Sequence, residues 1–227
     1  MSTFAAIKSR VGRYLIDLPT ETNSEIGAWV NRAAKLAQDD HNFRFQEATA
    51  EFTTTDGTRL LGSVPSDWKE ARAAPWVLEG DSETTEIEWI TQSDAIRLYS
   101  DSALDVGFPR HVMETSTGFD IYPYPDGLSL NGDGEYRVKI PYWKYLPELS
   151  GDTDTNWFTD NAEDYLVYLA TAEGMVFNRD EERAAVYFTK ASEDLMRAVK
   201  VDKRSRLPKR ITLRPMKGVY ASSRTRR

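Results

Sequence analysis

Cysteine is absent from the 227 residues, so disulfides and thiolate metal sites are excluded and the chain carries no mark of its redox compartment. Histidine is nearly as scarce. His41 and His111 stand in no ligand or triad spacing, which argues against a hydrolytic metal centre or a Ser-His-Asp arrangement and gives each ring a surface or packing role. No run of 18 apolar residues occurs. The amino terminus, MSTFAAIKSRVGRYL, is interrupted by Lys8, Arg10 and Arg13 where a signal peptide needs an apolar stretch. These absences imply a soluble protein made in the cytosol, with no membrane partner and no cofactor.

Phosphate-binding and calcium-binding loops are lacking too. Leu130 to Glu135 (LNGDGE) matches neither a Walker motif nor a dinucleotide fingerprint and reads as a turn. Asp152, Asp154, Asn156, Asp160 and Glu163 fall at EF-hand spacing. However, Trp157 stands at the sixth loop position, where only glycine makes the required turn without strain. The carboxylates Glu86 and Glu88, or Asp180, Glu181 and Glu182, resemble glycosidase pairs, but pairs arise by chance among 36 acids. A catalytic pair also needs an intervening cleft. They read as solvated faces and as helix amino-terminal charge.

What the chain does have is a strong charge asymmetry. Residues 201–227 hold ten Lys or Arg and one acid, Asp202, whereas residues 1–200 hold nineteen basic and thirty-five acidic side chains. An acidic body therefore bears a basic tail, which marks an interaction segment. Pro208 and Pro215 forbid one continuous helix through the tail. Around Ile211, Thr212, Leu213 and Arg214 the alternation puts Ile211 and Leu213 on one face of a strand. The tail reads as an extended arm able to add to a sheet edge or lie in a groove. A solvated terminus and a nucleic-acid-binding tail are the competing readings, the latter with Tyr220 as its one stacking side chain.

Helical and extended patterns are segregated along the chain, which implies an α+β fold. Phe4, Ile7, Val11, Tyr14, Leu15 and Leu18 recur at helical spacing up to Pro19. Thr22 with Glu25 suggests a capping box, followed by Ile26, Trp29, Val30, Ala33, Leu36 and Ala37. Near the other end, Asp160 or Asn161 is expected to cap a helix burying Tyr165, Leu166, Tyr168, Leu169, Ala172 and Val176. Asn178 is expected to cap a last helix carrying Tyr187, Ala191, Leu195, Ala198 and Val199 after a very short turn. Between these hairpins, Phe45–Thr54 and Thr58–Val64 flank Asp56-Gly57, which predicts a β-hairpin. Further strands are expected at Trp76–Leu78, Thr85–Ile90, His111–Thr115, Phe119–Tyr122 and Tyr136–Tyr142, with a helix at Ser93–Tyr99 facing Ile96 and Tyr99 inward. The expected architecture is an antiparallel helix bundle from both chain ends (1–42 and 156–202), an inserted β-rich domain (43–155) and an extended basic arm (203–227).

The order of segments carries a resemblance. Val64-Pro65-Ser66-Asp67-Trp68, Gly107-Phe108-Pro109-Arg110, Tyr122-Pro123-Tyr124-Pro125-Asp126-Gly127, the Tyr136–Tyr142 strand, and Trp157 ahead of Tyr165-Leu166-Val167-Tyr168-Leu169-Ala170 together resemble head-to-tail adaptors of tailed bacteriophages, the podovirus-type connectors. Lys69 departs from it, standing where an apolar residue is expected. The resemblance spans about residues 1–200 and implies a structural virion protein at the neck, with no catalytic activity, assembled in the host cytoplasm. It implies a ring of twelve that joins the portal protein to a downstream tail or nozzle protein and lets double-stranded DNA pass without specific binding. The arm would dock on the portal through Arg206, Leu207, Lys209, Arg210, Ile211, Leu213, Arg214, Met216, Lys217, Val219, Tyr220, Arg224, Arg226 and Arg227. The charge pattern fits, because an acidic channel wall avoids the counterion-release affinity that Lys and Arg would confer. The alternatives left open are a nucleic-acid-binding protein using the tail and a phage-type carboxylate glycosidase.

Overall fold

The structure, a computed structural model, describes residues 2–15, 22–79, 83–99, 106–127 and 135–206. It is α+β, as expected. Helix α1 (Phe4–Tyr14) opens at Thr3, whose hydroxyl accepts from the Ala6 amide, and buries Phe4, Ile7 and Val11. Leu18, placed on the same helix from its spacing, lies outside the described residues. In α2 (Thr22–Asp40), Thr22 is already helical and so is not the expected cap. Ile26, Trp29, Val30, Ala33 and Ala37 are buried, but Ala34 faces the core in place of Leu36, which is exposed.

The carboxy-terminal hairpin corrects two cap assignments. A short helix, α4 (Trp157–Asn161), precedes α5 (Glu163–Phe177). Asn156 opens α4: its side chain accepts from the Thr159 amide, and the Thr159 hydroxyl accepts from the Asn156 amide. Asp160 and Asn161 therefore sit inside α4 and do not cap α5, because the reciprocal Asn156–Thr159 pair nucleates a turn earlier. Asn178 ends α5, donating from its side-chain nitrogen to the Gly174 carbonyl at 2.7 Å. It is Asp180 whose carboxylate accepts from the Arg183 amide and opens α6 (Glu181–Arg206). Helix α5 is the hub, packing against α1, α2, α4 and α6. It buries Val167, Ala170 and Thr171 besides the predicted Tyr165, Leu166, Leu169 and Ala172, while Val176 is exposed. Gly174 permits the close approach of α1 and α2, since a Cβ there would lie 2.6 Å from Leu15 and 2.8 Å from Trp29. Along α6, Ala184, Ala191 and Ala198 are buried at seven-residue intervals, so small side chains form its inward seam.

Two sheets make up the insert. The first runs β1 (Glu47–Thr53), β9 (Arg137–Lys144), β4 (Trp76–Glu79), β5 (Glu83–Glu86), with β3 (Trp68–Ala71) also on β9. The second runs β2 (Leu60–Gly62), β8 (Phe119–Tyr122), β7 (His111–Glu114), β6 (Glu88–Trp89). Asp56-Gly57 does form a turn, with Gly57 at φ +64° and the Thr58 amide bonded to the Thr55 carbonyl. The expected hairpin across it does not form. Strand β1 pairs with β9 over seven residues and β2 with β8, and Phe52 of β1 and Leu61 of β2 pack into one apolar cluster. The two meet face to face instead: a Cβ on Gly62 would lie 2.6 Å from the Phe52 ring.

Thr85–Ile90, expected as one strand, is divided between the sheets. The chain crosses at buried Ile87, so β5 pairs with β4 and β6 with β7. Strand β3 was not expected. Proline in the middle of a central strand removes a ladder donor. Pro141 of β9 is tolerated because its flank faces the gap between β3 and β4, where only its carbonyl is needed, by the Arg72 amide. Helix α3 (Gln92–Leu98) turns Ala95 inward and leaves Ile96 exposed. Tyr99 does face in, stacked on Tyr122 and hydrogen-bonded to His111 Nδ1 at 2.6 Å.

Bundle and insert are joined through buried amides. Gln46 and Gln38 are almost fully buried. Gln46 accepts from the Phe43 amide and donates to the Lys144 carbonyl, and Gln38 accepts from the Leu146 amide. Lys69 completes the joint, donating to the Gln38 carbonyl and to Asn42 Oδ1. An apolar residue could not do this.

Candidate interaction surfaces

The end of α6 is held in place by its single acid. Asp202 is buried and accepts from the Arg44 amide at 2.9 Å and from His41 Nε2 at 3.2 Å. His41 in turn sets its ring edge-on to Phe43, 4.7 Å between centroids. Sequence reasoning missed this latch, although one acid among ten bases was the available signal. The helix continues to Arg206, so residues 203–206, assigned to the extended arm, are helical. Of the predicted portal-binding residues, Arg206 is thus the last of α6. The others, from Leu207 to Arg227, lie outside the described residues.

Beside the same end of α6 runs a groove of about 560 Å³, lined by Trp157, Asp160, Glu163, Asp164, Asp194 and Val201 among others. Its acids are mostly engaged. Arg10 donates to Glu163 and to Asp164, hydrogen bonds that raise the pKa of its guanidinium still further. Arg197 pairs with Asp194 at 2.6 Å. A glycosidase needs two carboxylates free to trade protons, and in this groove Arg10 holds the adjacent pair Glu163 and Asp164. Four of the five EF-hand-like positions are engaged as well, Glu163 by Arg10. Asp152 pairs with Lys8 at 2.7 Å, Asn156 caps α4, and Asp154 accepts from the Gly151 and Ser150 amides, which hold its carboxyl below the usual range. A general acid requires the opposite displacement.

Large apolar side chains are exposed on several elements of both bundle and insert. On the bundle the most exposed are Phe177 at its tip and Val186, Met196 and Val201 along α6; on the insert they include Leu60, Val106 and, on α3, Ile96 and Leu98. Such patches mark contact surfaces when grouped. Among the described residues no helix is long and apolar enough to cross a membrane.

The architecture is thus a helix bundle with a two-sheet insert and a last helix latched at Asp202. Against known families the chain matches SU10 adaptor protein over residues 2–214. It belongs to that family and is a bacteriophage adaptor with a structural role. No curated protein matches it.

Proposed function

We propose that the chain is a head-to-tail connector of the podovirus type. Twelve copies form a ring at the virion neck that joins the portal to the tail or nozzle protein below and surrounds the DNA channel. The arm docks each copy on the portal, and the protein performs no catalytic step. The observation that carries this reading is a basic chain end leaving an acidic body from a helix terminus fixed by Asp202. Exposed apolar side chains on both bundle and insert support it, because a ring contact joins two different faces of one subunit. The acidic body suits a channel through which DNA must slide.

Native mass spectrometry and electron microscopy of the chain mixed with the portal of the same phage test the proposal. Rings of twelve on the portal are expected for the full chain, and no docking is expected for a chain ending at Arg206. Equal docking of both chains would remove the arm from the mechanism. Retention on duplex DNA that falls steeply with salt would favour the nucleic-acid-binding reading instead.

A further inference from the structure

Among the described residues, the first sheet ends at β1 with no strand on its far side. Its hydrogen-bonding phase follows from two contacts: the Thr54 amide donates to the Tyr136 carbonyl at 2.9 Å, and Pro141, opposite Thr49, turns its carbonyl away from β1 to the Arg72 amide at 3.0 Å. Backbone groups alternate sides along an antiparallel strand. Ala48, Ala50 and Phe52 therefore spend theirs on β9, and Thr49, Glu51 and Thr53 direct their N–H and C=O groups to the open side, joined there by the Glu47 carbonyl; the Glu47 N–H is spent on the Arg44 carbonyl.

Natural edges of this kind are usually blunted by shortness, proline, a bulge or an inward-pointing charge. Among the described residues, the other strands with a partner on one side only, β2, β3, β5 and β6, are three, four, four and two residues long. Strand β1 runs seven residues in unbroken register. It has no proline, and Glu47 and Glu51 point to the outer face, paired with Arg72 at 3.2 Å and Lys139 at 3.3 Å. Its inward side chains near the start are small, Ala48 and Ala50, and only half-buried.

We propose that residues 210–214 of a second copy's arm add to this edge as a strand. The inference rests on the ring reading above and says what stitches its subunits. The alternation of the arm matches that of β1. With Thr212 set opposite Thr49, Arg210 and Arg214 fall opposite Glu47 and Glu51 in either strand direction, and Ile211 and Leu213 fall opposite Ala48 and Ala50. Aliphatic side chains then cover the apolar surface the alanines leave open, and the arginines meet carboxylates. Asp202 binds the Arg44 amide of its own chain, three residues ahead of β1, so each copy carries its arm and its edge at one end of the bundle. One arm and one edge per copy make a directional contact, the kind that closes into rings. Residues 215–227 remain for the portal.

Because the chain lacks cysteine, a single engineered pair reports the contact. Full-length protein carrying Thr49→Cys and Thr212→Cys, assembled on the portal and mildly oxidised, should give a ladder of disulfide-linked copies on a denaturing gel. Monomers with an internal disulfide would put the arm on its own edge and overturn the second-copy assignment. Free thiols in a sample with the mass of a ring would overturn strand addition and leave the ring reading standing, whereas a monomeric mass would overturn both. Thr49→Pro, which deletes one outward N–H without touching the β9 ladder, should weaken subunit association about tenfold, the cost of one interfacial hydrogen bond. Unchanged association would count against the edge.

Discussion

Single buried hydroxyls and carboxylates tie distant segments together. Tyr142 is nearly fully buried, donates to Asp67 at 2.9 Å and stacks on Trp68. Burial, followed by Asp67, pushes its pKa up to about 12 from an ordinary 10.0. A phenol whose folded pKa is raised contributes stability that is intact below pH 10 and lost as pH climbs towards 12, since the unfolded chain releases its proton first. Replacing Tyr142 by Phe should flatten the alkaline fall in stability over that window, measured by urea denaturation at successive pH values. A fall as steep as the parent's would place the alkaline sensitivity elsewhere. Tyr165, buried and donating to the Ala33 carbonyl, is raised too, so it extends the loss to still higher pH.

Among the elements, α6 has the most consequence for assembly. Its inward seam of alanines is legible as heptad spacing, but its end depends on Asp202, whose partners are some 160 residues away. Asp202→Ala leaves the Arg44 amide and His41 without that acceptor, a loss of roughly 1–3 kcal/mol. Hydrogen exchange should then show the last two turns of α6 opening while α5 keeps its protection. Unchanged protection at residues 200–206 would mean that the latch is dispensable. The β1–β2 pair teaches the complementary lesson. Asp56-Gly57 specifies a turn, yet turn chemistry is local, and the strand that pairs with β1 is β9, far along the chain.

For the whole molecule, the described cores are complete before residue 202. The bundle core runs from Phe4 to Ala198, and the insert core is closed by Val138 and Ile140. Removing residues 207–227 should therefore leave the melting temperature of the isolated chain nearly unchanged. A drop of many degrees would show that the arm packs on its own body. The same truncation lowers the net charge, because seven Lys or Arg and no acids are lost; salt dependence of portal docking should fall with it.

By itself the sequence determined the α+β class, the long helices at both chain ends, the acidic body with its basic end, and the absence of cysteine. Periodicity and composition suffice for these, since helical and strand repeats are local and charge simply adds. Only the tertiary structure decided which strands pair, why Pro141 is tolerated in a central strand, that Lys69 and two buried glutamines join bundle to insert, and that Asp202 latches α6. Each depends on groups distant in sequence satisfying one another's hydrogen bonds. That requirement becomes stringent only once burial removes water as the alternative partner.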